Sequence, residues 1–300
     1  MGIALKQNFP DLSPLTGLIS SSWAENPPSQ IGGEPGLTPI LRWAGSKKRI
    51  IPQLLQMIPD FGGCYYEPFL GSATLFLALQ PKQAILSDLN SQLIQAYTSI
   101  KSHPEKIWQL LMEMPDSSDF YYSLRNLKPS DLSLKERVAR FVYLNRFCFN
   151  GVYRTNLNGE FNVARGRGNL GIPNQEVFNT FAERLKPAKV LSSDFEIILA
   201  QVGEQDFIYI DPPYLDLSKR NRGEYGSGSF NHHDVERLVK SIHAASGRGA
   251  KILISYRYCE DLIRQFPSWH LQILDVKRSV SCESSTRASA KEILLTNYTL

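Results

Sequence analysis

"DFIYIDPPYLDL", residues 206 to 217, decides the fold, because an apolar and aromatic strand ends there in an acid, two prolines and a tyrosine. Proline cannot donate to a sheet ladder, and it forces the residue before it into an extended conformation, so Asp211 lies where the strand stops. In open α/β sheets, ligands bind beyond the carboxyl ends of the strands. The stretch therefore predicts a ligand site at Asp211, Pro212 and Tyr214.

Composition places the chain among ordinary globular proteins. It has 300 residues, 42% hydrophobic and 21% charged, with a net charge of +4. The four cysteines form no C-x-x-C pair, which argues against a disulfide framework or a thiolate metal site and favours a reduced cytoplasm. No apolar run approaches the roughly 18 residues of a membrane helix, and the amino terminus does not resemble a signal peptide. We expect a cytoplasmic protein without a membrane span.

The first half of the chain predicts the start of a parallel sheet. Residues 1–38 are rich in Pro, Ser and Gly and are expected to form a flexible extension. An amphipathic helix is predicted over Ser46 to Met57. "CYYEPFLGSATLFLAL" then reads as a strand ending near Glu67, a Gly71-Ser72 loop and a helix from Ala73, and "AILSDLN" as a strand ending in an acid. This is a βαβ unit.

The middle of the chain interrupts this sheet pattern. Helical periodicity runs from about Leu93 to Cys148, and "VYRTNLNGEFNVARGRG" follows, where Asn158-Gly159 is a strong hairpin signal. Strand patterns resume with "AKVLSSDF", "DFIYIDPPY", "AKILISY", "WHLQILDV" and "EILLTNY". We predict a catalytic domain over residues 39–92 and 187–300, with an inserted helical and β-hairpin domain over residues 93–186.

The loop of the βαβ unit is typical of a nucleotide-like ligand. Gly71 and Ser72 allow the backbone to approach a ligand at a helix amino terminus, and Asp88 follows Gly71 by 17 residues. That spacing is close to the one at which an acid meets ribose hydroxyls in nucleotide-binding sheets. The same residues also suit ordinary turn chemistry, so the loop alone leaves both interpretations open.

The Asp-Pro-Pro-Tyr sequence indicates chemistry on an exocyclic amine. The lone pair of an adenine N6 is delocalised into the ring, which makes it a poor nucleophile. If the Asp211 carboxylate and the Pro212 carbonyl accept its protons while Tyr214 stacks on the base, the nitrogen becomes richer in electrons. The carboxylate also stabilises the positive charge that develops when the amine attacks a methyl sulfonium. This chemistry requires no metal, and none is predicted. The alternative is a rigid turn that only closes a buried strand.

Six motifs in order resemble one enzyme family. "LRWAGSKKR", "EPFLGSATLFL", "LSDLN", "FVYLNRFCFNGVYRTNLNGEFNV", "YIDPPY" and "RSVS" through "TR" look like the Dam-like DNA adenine N6-methyltransferases, over residues 38 to 298. The resemblance implies a Rossmann-like α/β methyltransferase sheet that binds S-adenosylmethionine, with a target-recognition insertion reading GATC. The positions that it assigns to the cofactor are Trp43, Lys47, Asp88 and Asp211. Phe69 and Gly71, in the loop after the first strand, are further candidates for cofactor contacts. Without the resemblance, Trp43 and Lys47 would be interpreted as helix-flank packing and a solvated lysine.

The hairpin supplies the predicted DNA contacts. A two-stranded ribbon fits the major groove, where Arg154 could pair with guanine and Val152, on the same face, could meet a thymine methyl group. Phe149 resembles the family aromatic beside the flipped adenine. The remaining predicted contacts are Arg42, Asn150, Arg165 and Arg167, and Lys189 is a further candidate for phosphate. A basic, merely solvated face is the alternative interpretation.

The sequence departs from the family pattern at small residues. Ser46 stands where a second glycine is common in "WAGGK", and Ala73 where a glycine usually follows the cofactor loop. Ala164 replaces a hairpin proline, and Arg42 replaces a lysine. The first two changes should still leave room for the cofactor. The last two affect the prediction of the outer bases of the target sequence.

These features predict a monomeric enzyme that binds S-adenosylmethionine and double-stranded DNA, flips an adenine and methylates N6 within GATC. We expect it in the cytoplasm, associated with the nucleoid through DNA. A methyltransferase acting on RNA or on a protein amide is a second possibility, although those more often carry Asn-Pro-Pro-Tyr. A catalytically silent DNA-binding module is the third, and titration with S-adenosylmethionine separates it from an enzyme.

Overall fold

The strands of the described chain form one sheet. The computed structural model describes residues 39–156, 158–167, 171–214, 230–277 and 289–299. The predicted extension over residues 1–38 and the "RSVS" through "TR" motif at 278–287 lie outside the described residues. The described strands are β1 (Tyr65–Glu67), β2 (Ala84–Asp88), β3 (Ala188–Ser192), β4 (Phe207–Ile210), β5 (Lys251–Arg257), β6 (His270–Lys277) and β7 (Ser289–Thr296).

The order across this seven-stranded sheet is β3-β2-β1-β4-β5-β7-β6. Strands β1 to β5 are parallel, and β7 lies antiparallel between β5 and β6. The central strand β4 is buried on both faces, which explains why "FIYI" is a continuous apolar run without polar alternation. The arrangement confirms the predicted Rossmann-like α/β sheet.

Helices cover both faces of the sheet. They are α1 (Ile51–Gln56), α2 (Thr74–Leu79), α3 (Ser91–Ser102), α4 (Pro104–Met112), α5 (Ser118–Asn126), α6 (Leu134–Phe147), α7 (Gln175–Leu185), α8 (Phe195–Leu199), α9 (His232–Gly247) and α10 (Glu260–Arg264). None of the helices in the described ranges is long and apolar enough to cross a membrane.

Alternate strand residues point into two separate cores. Tyr65 and Phe207 belong to one cluster, which continues through α3 to α7. Their chain neighbours Tyr66 and Ile208 belong to the other, which is closed by α8, α9 and α10. The helices between β2 and β3 thus share a hydrophobic core with the sheet, which fixes their position relative to the strand ends.

The predicted helix over Ser46 to Met57 is shorter than expected. A 3-10 turn spans Lys48–Ile50, and α1 begins only at Ile51, with Pro52 in its first turn. Proline has no N–H to donate and a fixed φ, so it is favoured at the start of a helix and disfavoured inside one. Periodicity alone did not reveal this boundary.

The predicted hairpin is less regular than a two-stranded ribbon. Two isolated antiparallel bridges hold it, Thr155 to Phe161 and Cys148 to Arg165. The first segment is interrupted because Asn150 has φ +55° and Gly151 φ +65°. At the tip, the Asn156 Oδ1 accepts the backbone N–H groups of residues 158 and 160 at 3.0 and 2.9 Å, which replaces ladder bonds by a local turn.

Candidate active site

One cavity of about 500 Å³ opens at the carboxyl ends of β1, β2 and β4. Such a volume is ordinary for a small-molecule site. All the predicted cofactor and catalytic residues lie on its wall, namely Trp43, Lys47, Phe69, Gly71, Asp88, Asp211, Pro212 and Tyr214. The structure therefore brings these side chains together from four separate stretches of sequence, while their individual roles stay predictions.

Asp211 is held by a buried lysine. The Lys47 Nζ lies 2.9 Å from the Asp211 Oδ1 and 3.9 Å from the Glu292 Oε2, and the Lys47 side chain is 5% exposed. Burial raises the pKa of Asp211, and the Lys47 ammonium opposes this increase. Burial also works against the charge of Lys47, but its acidic neighbours outweigh burial and raise the pKa of Lys47. The ion pair therefore favours the ionised form of a carboxyl group whose ionisation is disfavoured by burial.

Tyr214 packs onto the same lysine. Its hydroxyl accepts a hydrogen bond from the Lys47 Nζ at 2.6 Å, and the ammonium lies 4.9 Å from the centre of its ring. Tyr256 meets Tyr214 edge-on, with 4.9 Å between ring centres. Tyr214, predicted to stack on a base, therefore has a fixed position beside Lys47 and Asp211.

The loop after β1 is fastened to the end of β2. The Gly71 N–H donates to the Asp88 Oδ2 at 3.1 Å, and the Asn90 N–H donates to the Asp88 Oδ1 at 2.9 Å. Gly71 has φ +46°, and a Cβ there would lie 3.0 Å from the Trp43 Cδ1. Glycine is favoured at this position by both its backbone conformation and the close approach of the indole.

Two family departures have structural explanations. Ser46 is not among the residues with positive φ, so glycine is not needed there, and its hydroxyl lies 3.1 Å from that of Thr74 and 3.2 Å from that of Ser72. Ala73 has φ +56°, the left-handed conformation that glycine adopts freely. This chain thus keeps the glycine-type backbone with an alanine, at an energetic cost of about 1 to 2 kcal/mol.

The wall of the cavity is acidic, which suits a cationic ligand. Glu67 at the end of β1 is fully buried, accepts a hydrogen bond from the Tyr65 hydroxyl at 2.8 Å, and has its pKa raised to about 8 by burial. Burial likewise raises the pKa of Asp88. Lys47 is the basic side chain among the described lining residues. Asp194, Asp211 and Asp234 line the same cavity, and a ligand with a sulfonium and an ammonium group fits this acidic lining.

An aromatic wall closes the other side of the cavity. The Phe69 ring stacks on Phe195 at 5.5 Å and meets Phe230 edge-on at 6.0 Å. The Arg237 guanidinium lies 4.9 Å from the centre of the Phe195 ring. The same guanidinium binds carboxylates at the starts of α8 and α9, with Asp194 and Glu196 at 2.8 Å and Asp234 at 3.1 Å.

The predicted DNA residues lie outside the cavity. Phe149 is 54% exposed, as a residue that contacts a base requires. The Arg154 Nε donates to the Asn162 Oδ1 at 2.9 Å across the hairpin. Arg165 forms an ion pair with Asp116, which ties the returning segment of the hairpin to the turn before α5. Arg167 is exposed.

The remaining predicted contacts come from the hairpin, the segment before Trp43 and the sheet. Asn150 is exposed, and Val152 is half-buried. Arg42 packs against Gly151, whose Cβ, if present, would lie 2.4 Å from the Arg42 Cβ. Lys189 is exposed on β3, so it does not share the hairpin with the other candidates.

Several residues of the site escaped prediction from the sequence. Glu67 was noted only as the end of a strand, although an acid at that place is the same signal that identified Asp88 and Asp211. No sequence pattern around Arg237 indicates its role, because its carboxylate partners come from two different helices. Tyr153 and Thr155 of the hairpin also line the cavity, where only DNA contacts were expected from that segment.

Comparison with known proteins gives one consistent result. A model of the D12 class N6 adenine-specific DNA methyltransferases matches residues 43–281. The Type II methyltransferase M1.LlaDCHI of Lactococcus lactis subsp. cremoris is 32% identical over 275 residues, which cover 87% of this chain and 96% of that protein. For the Type II methyltransferase M.MjaIII of Methanocaldococcus jannaschii, the identity is 34% over 285 residues, with coverages of 87% and 99%. The DNA adenine methylase of Escherichia coli K12 is 30% identical over 261 residues, with coverages of 85% and 93%.

Proposed function

The chain belongs to the D12 class of N6 adenine-specific DNA methyltransferases, and on that premise we propose that it uses S-adenosylmethionine to methylate a flipped-out adenine of duplex DNA within GATC. One observation carries the proposal: the Asp211-Pro212-Pro213-Tyr214 stretch and the Gly71–Asp88 loop line the same acidic cavity. The GATC assignment rests on the family resemblance of the hairpin around "NGVYRTN".

The residues at the end of β4 suit activation of an amine. The Asp211 carboxylate and the Pro212 carbonyl are the acceptors for the two N6 protons, and Tyr214 offers an aromatic face to the base. When bound, S-adenosylmethionine supplies an electrophilic methyl group on a sulfonium. N6 gains positive charge as it is methylated and loses a proton afterwards, and the ionised Asp211 stabilises that charge.

Lys47 has a supporting role in this proposal. An isolated carboxyl at the position of Asp211 would be driven towards its neutral form by burial, and a neutral carboxyl accepts the amine protons less well. The ammonium at 2.9 Å counteracts that tendency. Trp43, Phe69, Gly71 and Asp88 would hold the cofactor, Asp88 through its ribose hydroxyls.

DNA recognition falls to the insertion. We assign residues 93–186 to target recognition, and the two segments 39–92 and 187–300 to catalysis. Flipping is part of the proposal because the N6 attack trajectory is blocked inside the base stack. We also propose that the protein acts on DNA in the cytoplasm as a monomer and that it needs no metal ion.

The proposal is tested by expressing the protein in cells that lack adenine methylation and sequencing their DNA for modified bases. We expect N6-methyladenine in GATC, and none in cells that express the Asp211→Ala variant. Methylation of adenine in a different sequence would contradict the GATC assignment alone, whereas a product on cytosine would contradict the function. With purified protein, activity should survive a metal chelator.

A further inference from the structure

Tyr153 links the DNA-reading hairpin to the cofactor cavity. It lies between Val152 and Arg154, the two predicted base contacts, but its side chain is buried and lines the cavity with Thr155. Its ring stacks on Trp43 with 5.4 Å between centres and 19° between planes. Phe141 of α6 packs against both rings, at 5.6 Å from Tyr153 and 6.4 Å from Trp43.

The hydroxyl of Tyr153 lies near Asn90, at the other side of the cofactor site. Burial raises the pKa of this hydroxyl, and the Asn90 side chain opposes the increase. Asn90 donates its backbone N–H to the Asp88 Oδ1 and caps α3 by accepting the Leu93 N–H at 3.0 Å. Tyr153 therefore stacks on the indole on one side of the cavity and lies near the residue that donates its backbone N–H to the Asp88 carboxylate.

The base of the hairpin is attached to the same segment of chain. The Asn145 side chain of α6 accepts the Arg42 N–H at 2.8 Å and donates to the Arg42 carbonyl at 2.7 Å, so it holds the residue before Trp43 by both backbone groups. A displacement of Trp43 would thus shift both the base of the hairpin and the Tyr153 ring.

From these contacts we infer that Tyr153 couples the two binding events, so that a filled cofactor cavity raises affinity for the target DNA and the DNA raises affinity for the cofactor. This inference rests on the proposed function. Filling the cavity restricts Trp43 and the Asp88–Asn90 turn, which holds Tyr153 and orders Val152 and Arg154 on either side before DNA arrives. Such a coupling is reciprocal by thermodynamic necessity.

The coupling is measured as the ratio of DNA dissociation constants without and with a saturating, non-reactive analogue of S-adenosylmethionine, sinefungin, on a GATC duplex. For the wild type we expect this ratio to be about five or more. Tyr153→Ala should reduce it to within about twofold of one. Tyr153→Phe keeps the ring stack and loses only the hydroxyl group, so its ratio should lie between the two.

Two further variants separate coupling from general damage. Tyr153→Leu keeps apolar bulk in the hairpin but removes the aromatic stack, and it should also lose the coupling; it decides the question if Tyr153→Ala does not fold. Tyr122→Ala removes an exposed tyrosine from α5 of the same insertion and should leave the ratio unchanged.

A wild-type ratio of one, or a Tyr153→Leu ratio equal to that of the wild type, would overturn the inference. Failure of the proposed function has a different signature, since the wild type would then not methylate GATC or not bind sinefungin. If the wild type methylates GATC normally but has a coupling ratio of one, only the coupling is contradicted and the proposed function stands.

Discussion

Asp211 and Glu67 are two buried carboxyls at neighbouring strand ends, and they differ in their partners. Asp211 has the Lys47 ammonium at 2.9 Å, whereas Glu67 receives a hydrogen bond from the neutral Tyr65 hydroxyl. Burial raises the pKa of both groups, to about 8 for Glu67, and at Asp211 the ammonium opposes the increase. A nearby cation favours the ionised form more than a neutral donor does, so the same sheet edge holds two carboxyl groups with different tendencies to ionise.

Glu67 should make stability depend on pH. Its pKa rises from the ordinary 4.5 to about 8 on folding, so its contribution to the free energy of unfolding is complete below pH 4.5 and is lost as the pH rises towards 8. Glu67→Gln should therefore gain stability relative to the wild type over this range, by at most about 1.4 kcal/mol per pH unit. Urea unfolding at pH 5, 6.5 and 8 measures the difference.

Glu236→Gln is the control for this prediction, because Glu236 is exposed on α9 and has no role in the cavity. A difference between Glu67→Gln and the wild type that stays constant from pH 5 to pH 8 would show that Glu67 ionises at its ordinary pKa.

Arg154 should read a base, whereas Arg167 should contact only phosphate. The bond from Arg154 to Asn162 uses Nε and orients the guanidinium on the hairpin. Arg154→Ala should reduce the binding free energy for the cognate site by about 1 to 3 kcal/mol and relax discrimination at one base pair. Arg167→Ala should weaken binding to all DNA sequences alike. It should also lower the slope of the logarithm of the binding constant against the logarithm of salt concentration by about one unit.

The measurement compares transfer rates on GATC and on duplexes altered one base pair at a time. If Arg154→Ala slows methyl transfer to every duplex equally, then Arg154 contacts the DNA backbone and does not read a base. Arg165 is a poor control here, since its ion pair with Asp116 gives it a structural role in holding the hairpin.

At the scale of elements, α8 and α9 are joined beside the cavity by Arg237. Its guanidinium neutralises carboxylates at both helix starts and lies over Phe195. Removing it leaves three like charges close together, so the two helices should separate and the aromatic wall should loosen. Arg237→Ala should raise KM for S-adenosylmethionine about five- to tenfold, equivalent to roughly 1 to 1.4 kcal/mol, with KM for DNA unchanged.

Arg264→Ala provides the matched control for Arg237→Ala. It removes an arginine paired with Glu260 and Asp261 on the exposed surface of α10, where ion pairs contribute little. Equal increases in KM for DNA and for the cofactor in the Arg237 variant would indicate general destabilisation in place of a local effect on the cavity.

Individual elements were predictable to the extent that their pattern was local. The apolar runs of β2, β4 and β5 and the acids that end β2 and β4 follow from residue order alone. The late start of α1 and the broken hairpin were not predicted, because periodicity averages over single residues. Pro52 and Asn150 act through their backbone conformations, and Asn156 acts through hydrogen bonds of its side chain.

At the scale of the whole molecule, the site is built from contacts between distant parts of the chain. Asp88 and Asp211 could be identified from the sequence because each ends a strand of a parallel sheet. Lys47 was assigned only through family resemblance, and Arg237 not at all. The shared core of the helical insertion and the sheet places Tyr153 in the cavity, and no local pattern encodes that packing.

The central claim is that the Asp211 carboxylate activates the adenine amine, and the most direct test is single-turnover transfer by Asp211→Asn. The measurement uses a GATC duplex with saturating S-adenosylmethionine, with DNA affinity measured in parallel. The substitution keeps the size of the side chain and removes its charge, so we expect transfer to fall more than about a hundredfold while the DNA dissociation constant changes little. Retention of more than about a hundredth of the wild-type rate, a loss of under roughly 2.7 kcal/mol, would contradict the account.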